Sequence, residues 1–283
     1  MIELVPQHKI GLTLANPVML ASSCCGYGAA YQRLLDLSVF GALVTNPITL
    51  RPRRGATQPR LVETAAGFVL ATGGQNPGVK QVIQQQHKPW LRSATPIIAH
   101  LPADEPEDLL RTARALAGLA SSPGQPTLAA LELGIPHPAT SREVGRWIDA
   151  IRAVCPLPLL VKLPLGAAVE LAEAAASASA DGLVIGSPPL GTALSPTGMP
   201  VSGHLYGPAL HSLALHELRL VKNMVDLPLV ATGGIHSLAD AQAFLAAGAM
   251  AMQIDSLVFI EPRLAYEIAL AFQRPGSESK KFD

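Results

Sequence analysis

Leu128-Ala129-Ala130-Leu131-Glu132-Leu133 and, further along, Leu159-Leu160-Val161-Lys162-Leu163 are short apolar runs separated by an amphipathic stretch at residues 141–153. Gly182-Leu183-Val184-Ile185 follows a second amphipathic stretch at residues 167–178. Apolar runs of this length read as strands buried on both faces, and the Ala- and Leu-rich stretches between them as helices. The same beat extends outward to residues 18–21, 42–45 and 96–100, and to residues 227–231 and 249–254, giving eight runs. Further helical stretches occupy residues 105–119, 208–226, 237–247 and 262–272. Asp104 before Glu105, Thr140 before Ser141, and Ser237 three residues before Asp240 read as helix N-caps. Eight such units are the count for a closed α/β fold, the (β/α)8 TIM barrel, with a doubly wound open sheet as the alternative.

The chain has 283 residues, 49% hydrophobic and 15% charged, enough for one domain, expected over residues 1–274, with a disordered tail at 275–283. Residues 2–14 read as an N-terminal hairpin across the bottom of the barrel, with Lys9 at its turn. Residues 47–77 form a long insertion after strand two, where barrels place lids and subunit contacts. Lys plus Arg and Asp plus Glu both number 21, without runs of one sign, which argues against nucleic acid or an anionic membrane as partner. The long uncharged stretches carry Gly, Pro, Ser and Asn throughout, so no membrane-spanning segment is expected, and the N-terminus lacks the features of a secretory signal. The expected location is the cytoplasm. Cys24, Cys25 and Cys155 have neither a disulfide framework nor metal-ligand spacing, and no metal is expected.

The insertion holds the most specific pattern. Ile48-Thr49-Leu50-Arg51-Pro52-Arg53-Arg54-Gly55, then Pro59-Arg60, Glu63-Thr64 and Gly74-Gln75-Asn76-Pro77-Gly78-Val79, resemble class 1 dihydroorotate dehydrogenases. The resemblance runs from Asn16-Pro17 to Phe259 and is densest between Leu50 and Gly78. It implies an FMN-binding (β/α)8 barrel that oxidises dihydroorotate in pyrimidine synthesis. It also implies flavin contacts at Ala21 and Ser22, and Lys162 at the electron-accepting edge of the flavin. For the phosphate it implies Gly203 and Gly207, Gly233 and Gly234, and Ser256. Independently, paired glycines after strand seven let backbone approach a phosphate closely, although an ordinary strand-to-helix turn explains them equally. An inward lysine on an apolar strand is costly unless paired or facing a ligand, and Glu132 is the partner within reach.

Against the family pattern, several positions depart. The resemblance implies a catalytic cysteine just after strand four, where this chain reads Gly134-Ile135-Pro136-His137-Pro138. The pyrimidine-binding positions correspond to Asn46, Leu70, Ser187-Pro188 and His100, none with the family's residue. Asp255 stands where the family has a glycine against the phosphate, and His204 and Tyr206 where it has a glycine and a serine. A missing general base alone removes about 10²- to 10⁴-fold in rate, so no dihydroorotate oxidation is expected. His100, His137, His204 and His236 follow strand ends and are expected to share one mouth or to have no common role. His137 and His100 are the candidate catalytic residues. Cys24 and Cys25 read as small apolar residues. The first expectation is a catalytically inactive relative acting as a structural, regulatory or partner-binding subunit, either a homodimer or part of a larger complex. The alternatives are an FMN-dependent oxidoreductase with a different small substrate, and a barrel binding another small molecule without redox chemistry. Retention of FMN is left open.

Overall fold

The computed structural model describes residues 1–28, 31, 36–120 and 127–273. The tail expected at 275–283 lies outside the described residues. Along the chain come β1 (Ile2–Glu3), β2 (Thr13–Leu14), β3 (Val18–Leu20), β4 (Ala42–Val44), β5 (Leu61–Thr64), β6 (Gly67–Leu70), α1 (Val79–Leu91), β7 (Ile97–Pro102), α2 (Pro106–Ala117), β8 (Ala130–Gly134), α3 (Ser141–Arg152), β9 (Leu159–Pro164) and α4 (Ala168–Ser177). They are followed by β10 (Gly182–Ser187), β11 (Leu190–Leu194), β12 (Pro200–Tyr206), α5 (Leu210–Lys222), β13 (Leu229–Thr232), α6 (Leu238–Ala246), β14 (Ala251–Ile254), α7 (Leu257–Ile260) and α8 (Pro262–Ala271).

Eight parallel strands close a barrel in the order β3-β4-β7-β8-β9-β10-β13-β14, with β14 pairing back onto β3. The strands alternate between two apolar environments. Leu131, Leu133, Val161, Leu163, Leu183 and Ile185 pack outward among the helices. Ala130, Leu160, Val184, Val230, Ala251, Met19, Ala42 and Ile98 point into the barrel's lower half. The β1–β2 hairpin plugs that end with Leu4, Val5, Leu12 and Leu14, all buried. Each fully buried Leu or Val contributes about 1.5–3 kcal/mol relative to exposure, so the plug anchors the barrel's N-terminal rim.

Above the opposite end lies a second sheet, antiparallel, in the order β11-β12-β6-β5. It joins the insertion after β4 to the chain between β10 and α5, and Phe68 stacks on Tyr206 across it at 5.3 Å. Residues 202–206 lie on β12, because their partners on β6 come from a distant part of the chain, and the helix expected from residue 208 begins at Leu210 as α5. Gly207 serves this junction: a Cβ there would stand 2.1 Å from the Ala66 carbonyl oxygen.

Two of the three caps form as expected. Thr140 and Glu143 make a reciprocal capping box on α3, and Ser237 accepts from the Asp240 N–H at the start of α6. Asp104 does not cap α2 through its side chain; its Oδ2 accepts from Arg53 Nη2 at 2.6 Å, tying the insertion to the barrel. Among the described residues no helix is long and apolar enough to cross a membrane.

Candidate functional site

One step above the apolar lower layer, the inward positions turn polar. His100 on β7, Glu132 on β8, Lys162 on β9 and Gln253 on β14 meet near the C-terminal ends of their strands. Lys162 Nζ donates to Gln253 Oε1 at 2.9 Å, Gln253 Nε2 donates to Glu132 Oε2 at 2.5 Å, and His100 Nδ1 bonds Glu132 Oε1 at 2.8 Å. Glu132 is fully buried. Burial works against its charge, but Lys162, His100 and Gln253 outweigh it and hold the carboxyl at about 2. The lysine therefore meets Glu132 through an intervening amide rather than by direct contact. Gln253 was missed from sequence, yet its place between outward Met252 and Ile254 marks it as an inward polar residue.

A cavity of about 400 Å³ opens above this network. Lys162, His100 and Ser22 face it from the barrel, and Gly203, His204 and Tyr206 from the second sheet. Gly134 leaves room for its neighbour: a Cβ there would come within 2.7 Å of His100 Cε1, and the imidazole would have to shift. The histidine and the glycine thus form one arrangement. Ser22 Oγ donates to the Thr45 carbonyl at 2.8 Å, and Ala21 is buried beside it, its N–H donating to Ile254 O.

The four histidines do not converge. His100 and His204 line the cavity, with His204 Nδ1 bonding the Pro188 carbonyl at 2.9 Å. His236 is turned to Ser256 Oγ, 3.0 Å from its Nε2, and burial lowers its pKa while Asp255 and Asp240 oppose that. His137 is exposed on the loop after β8 and is not among the residues lining the cavity. That loop offers no thiol, and Cys24, Cys25 and Cys155 are all buried. Burial pushes Cys25 up to about 12 and Cys24 well above the ordinary thiol range, so neither is a ready nucleophile.

At the ends of β13 and β14 the backbone is closely engaged. Gly233 and Gly234 have φ of 102° and 68°, and a Cβ on Gly234 would stand 2.3 Å from His211 N in the first turn of α5. Asp255 is only 3% exposed. Its Oδ1 accepts from both the N–H and the hydroxyl of Ser256, at 2.5 and 3.0 Å, while Oδ2 is buried with no hydrogen-bond partner.

A family model described as dihydroorotate dehydrogenase matches residues 5–273. The chain belongs to the dihydroorotate dehydrogenase family. Among its relatives, the dihydroorotate dehydrogenase B (NAD(+)) catalytic subunit of Bacillus pumilus is 35% identical over 276 residues, covering 91% of this chain and 87% of the relative. The proteins of the same name from Pelobacter propionicus and Trichlorobacter lovleyi are 34% and 36% identical. They cover 93% and 91% of this chain, and 90% and 88% of their own lengths. Among solved structures, the Eimeria tenella dihydroorotate dehydrogenase in complex with ferulenol superposes with a TM-score of 0.75 at 16% identity. The superposition covers 92% of this chain and 84% of that one, and establishes likeness of fold.

The FMN implied by the resemblance fits this dihydroorotate dehydrogenase-like mouth at one end only. The ring end has an open cavity with Lys162 and Ser22 on its wall. At the phosphate end, where barrels of this kind offer backbone donors after their seventh and eighth strands, Asp255 already takes the donors of Ser256. Gly233, Gly234, Asp255 and Ser256 are not among the residues lining the cavity, and Asp255 is buried, so the cavity does not reach this end.

Proposed function

We propose that this chain is a dihydroorotate dehydrogenase-like protein that does not oxidise dihydroorotate and acts as a structural, regulatory or partner-binding subunit. The observation that carries this reading is the pair of changes at the two ends of the mouth. After β8 there is no cysteine to take the substrate proton, and after β14 a buried carboxylate, Asp255, stands at the position the family resemblance gives to a phosphate-contacting glycine. A missing base and an altered cofactor site each lower activity on their own, and together they leave little of the family reaction. The relatives named as catalytic subunits favour a place in an assembly, either as a homodimer or with other chains.

A second reading is favoured by one specific observation. His100, paired with a fully buried Glu132, faces the cavity beside Lys162, and a histidine oriented by a carboxylate is suited to proton transfer near neutral pH. On that reading the protein is a flavin-dependent oxidoreductase with a different small substrate. The exposed His137 is the weaker candidate for such a base. The absorbance spectrum of the purified protein, followed by titration with FMN, separates the two. The first reading expects no visible flavin bands and weak FMN binding; a yellow protein with stoichiometric FMN would favour the second.

A further inference from the structure

The cavity above the upper network has a polar floor and an apolar roof, and the protons of the floor are fixed by what lies beneath it. Glu132 is ionised, its carboxyl held at about 2, so it can only accept, and its bond with His100 requires the proton on Nδ1. The neutral imidazole then carries its lone pair on Nε2. That atom has no protein partner, and among the described residues it is not one of the buried polar atoms left without one, so it opens onto the cavity that His100 lines. Lys162 spends one of its three N–H groups on Gln253 Oε1 and keeps the others for the cavity. Ser22 gives its hydroxyl proton to the Thr45 carbonyl and keeps its oxygen as an acceptor. The floor therefore offers donors at Lys162 and acceptors at His100 and Ser22, and the charges of Lys162 and Glu132 cancel within it.

The roof has the opposite character. Strands β11, β12 and β6 set Leu190, His204 and Leu70 side by side in register, and all of them line the cavity. The imidazole of His204 donates from Nδ1 to the Pro188 carbonyl, which can only accept. Leu190 is 67% exposed, an apolar side chain at the rim with little protein against it. Ala71 and Pro102 extend the apolar wall, and no acidic side chain lines the cavity among the described residues.

We propose that the mouth binds a neutral cyclic amide that carries an apolar body: the amide oxygen accepts from Lys162, the amide N–H donates to His100 Nε2, and the apolar part lies against Leu70 and Leu190. A carboxylate head would suit Lys162 but would set its charge against the Nε2 lone pair, so it would bind only with a proton taken up by His100. A neutral amide needs no such proton. A wholly polar ring would gain nothing from the roof. The proposal deepens the non-oxidising reading given above and rests on it, since the ligand is bound and not turned over.

The test is isothermal titration of the full chain with four probes. They are 2-quinolone, which has the amide edge and a fused ring; 2-pyridone, which has the edge alone; N-methyl-2-quinolone, which lacks the donor; and quinoline-2-carboxylate, which replaces the amide by an anion. The expected order places 2-quinolone about tenfold or more ahead of each of the others, with a binding heat independent of the buffer's ionisation enthalpy. Leu190→Ser, at an exposed position, should reduce the preference for 2-quinolone over 2-pyridone by about threefold or more and leave 2-pyridone unchanged. Circular dichroism melts confirm that this variant is folded. Tightest binding by quinoline-2-carboxylate, equal binding of N-methyl-2-quinolone or 2-pyridone, an unchanged preference in Leu190→Ser, or no binding of any probe would overturn the proposal. Turnover of dihydroorotate in the same samples would overturn the non-oxidising reading instead, while the order of the probes is measured independently of it.

Discussion

The lower and upper halves of the barrel interior are built from the same strands, two residues apart, and are opposite in chemistry. Below, Ala130, Leu160 and Ala251 meet the apolar hairpin plug. Above, Glu132, Lys162 and Gln253 on those same strands meet each other and the cavity. The lower layer needs only shape and burial to be stable. The upper layer places a carboxylate and an ammonium out of water, where desolvation offsets much of their attraction, and a well-packed apolar layer would hold the barrel as well or better. The difference is why we read the mouth as built for binding rather than for stability.

The sharpest way to break this comparison is to remove one member of the upper network and then replace it whole. Glu132→Ala strands Lys162 and is expected to cost about 3–5 kcal/mol in chemical denaturation. Replacing all four members with apolar residues, Glu132→Leu, Lys162→Met, Gln253→Met and His100→Leu, should restore or exceed the original stability while losing ligand binding at the mouth. If the fourfold variant is as unstable as the single one, the network is structural and the contrast fails. In the lower layer, Leu160→Ala should cost about 2–5 kcal/mol by opening a cavity, with any binding at the mouth unchanged at a temperature where the variant stays folded.

Acid provides a third probe. The Glu132 carboxyl lies below its ordinary value, so its ionised form stabilises the fold above the unfolded value near 4.5, and that contribution is lost as pH falls from 4.5 toward about 2. The loss should be on the order of 3 kcal/mol, read from denaturant midpoints across that window, and Glu132→Gln should flatten it. The smallest expected effect lies outside both layers: Thr140→Ala removes the capping box of α3 and should lower stability by about 1 kcal/mol without touching the mouth.

The barrel was legible because its strands are buried on both faces and so read as apolar runs, and because the hairpin and the α3 and α6 caps are local patterns. What escaped the sequence is non-local. The β11–β12 pair has Gly, Ser and Thr among its residues and gains its strand character from β6, far back in the chain. Asp104 had the look of a cap, but Arg53 in the insertion competes for it. Helix α1 was overlooked, its run of glutamines and Pro89 masking the buried Val79, Val82 and Trp90. At the site, Lys162 and His100 were placed at the mouth by position alone, whereas the separation of His137 and His236 from the cavity depends on loop paths that spacing does not encode. Gln253 was within reach of the alternation rule, and the unpaired oxygen of Asp255 was not.

The most direct test of the central claim is a dihydroorotate oxidation assay on the full chain with saturating FMN and an artificial electron acceptor, run beside a dihydroorotate dehydrogenase of known activity. The account predicts no dihydroorotate-dependent reduction of the acceptor above the protein-free rate. Sustained turnover would show that some group here does the work of the cysteine the resemblance implies, and would contradict the reading of this barrel as a non-oxidising member of its family.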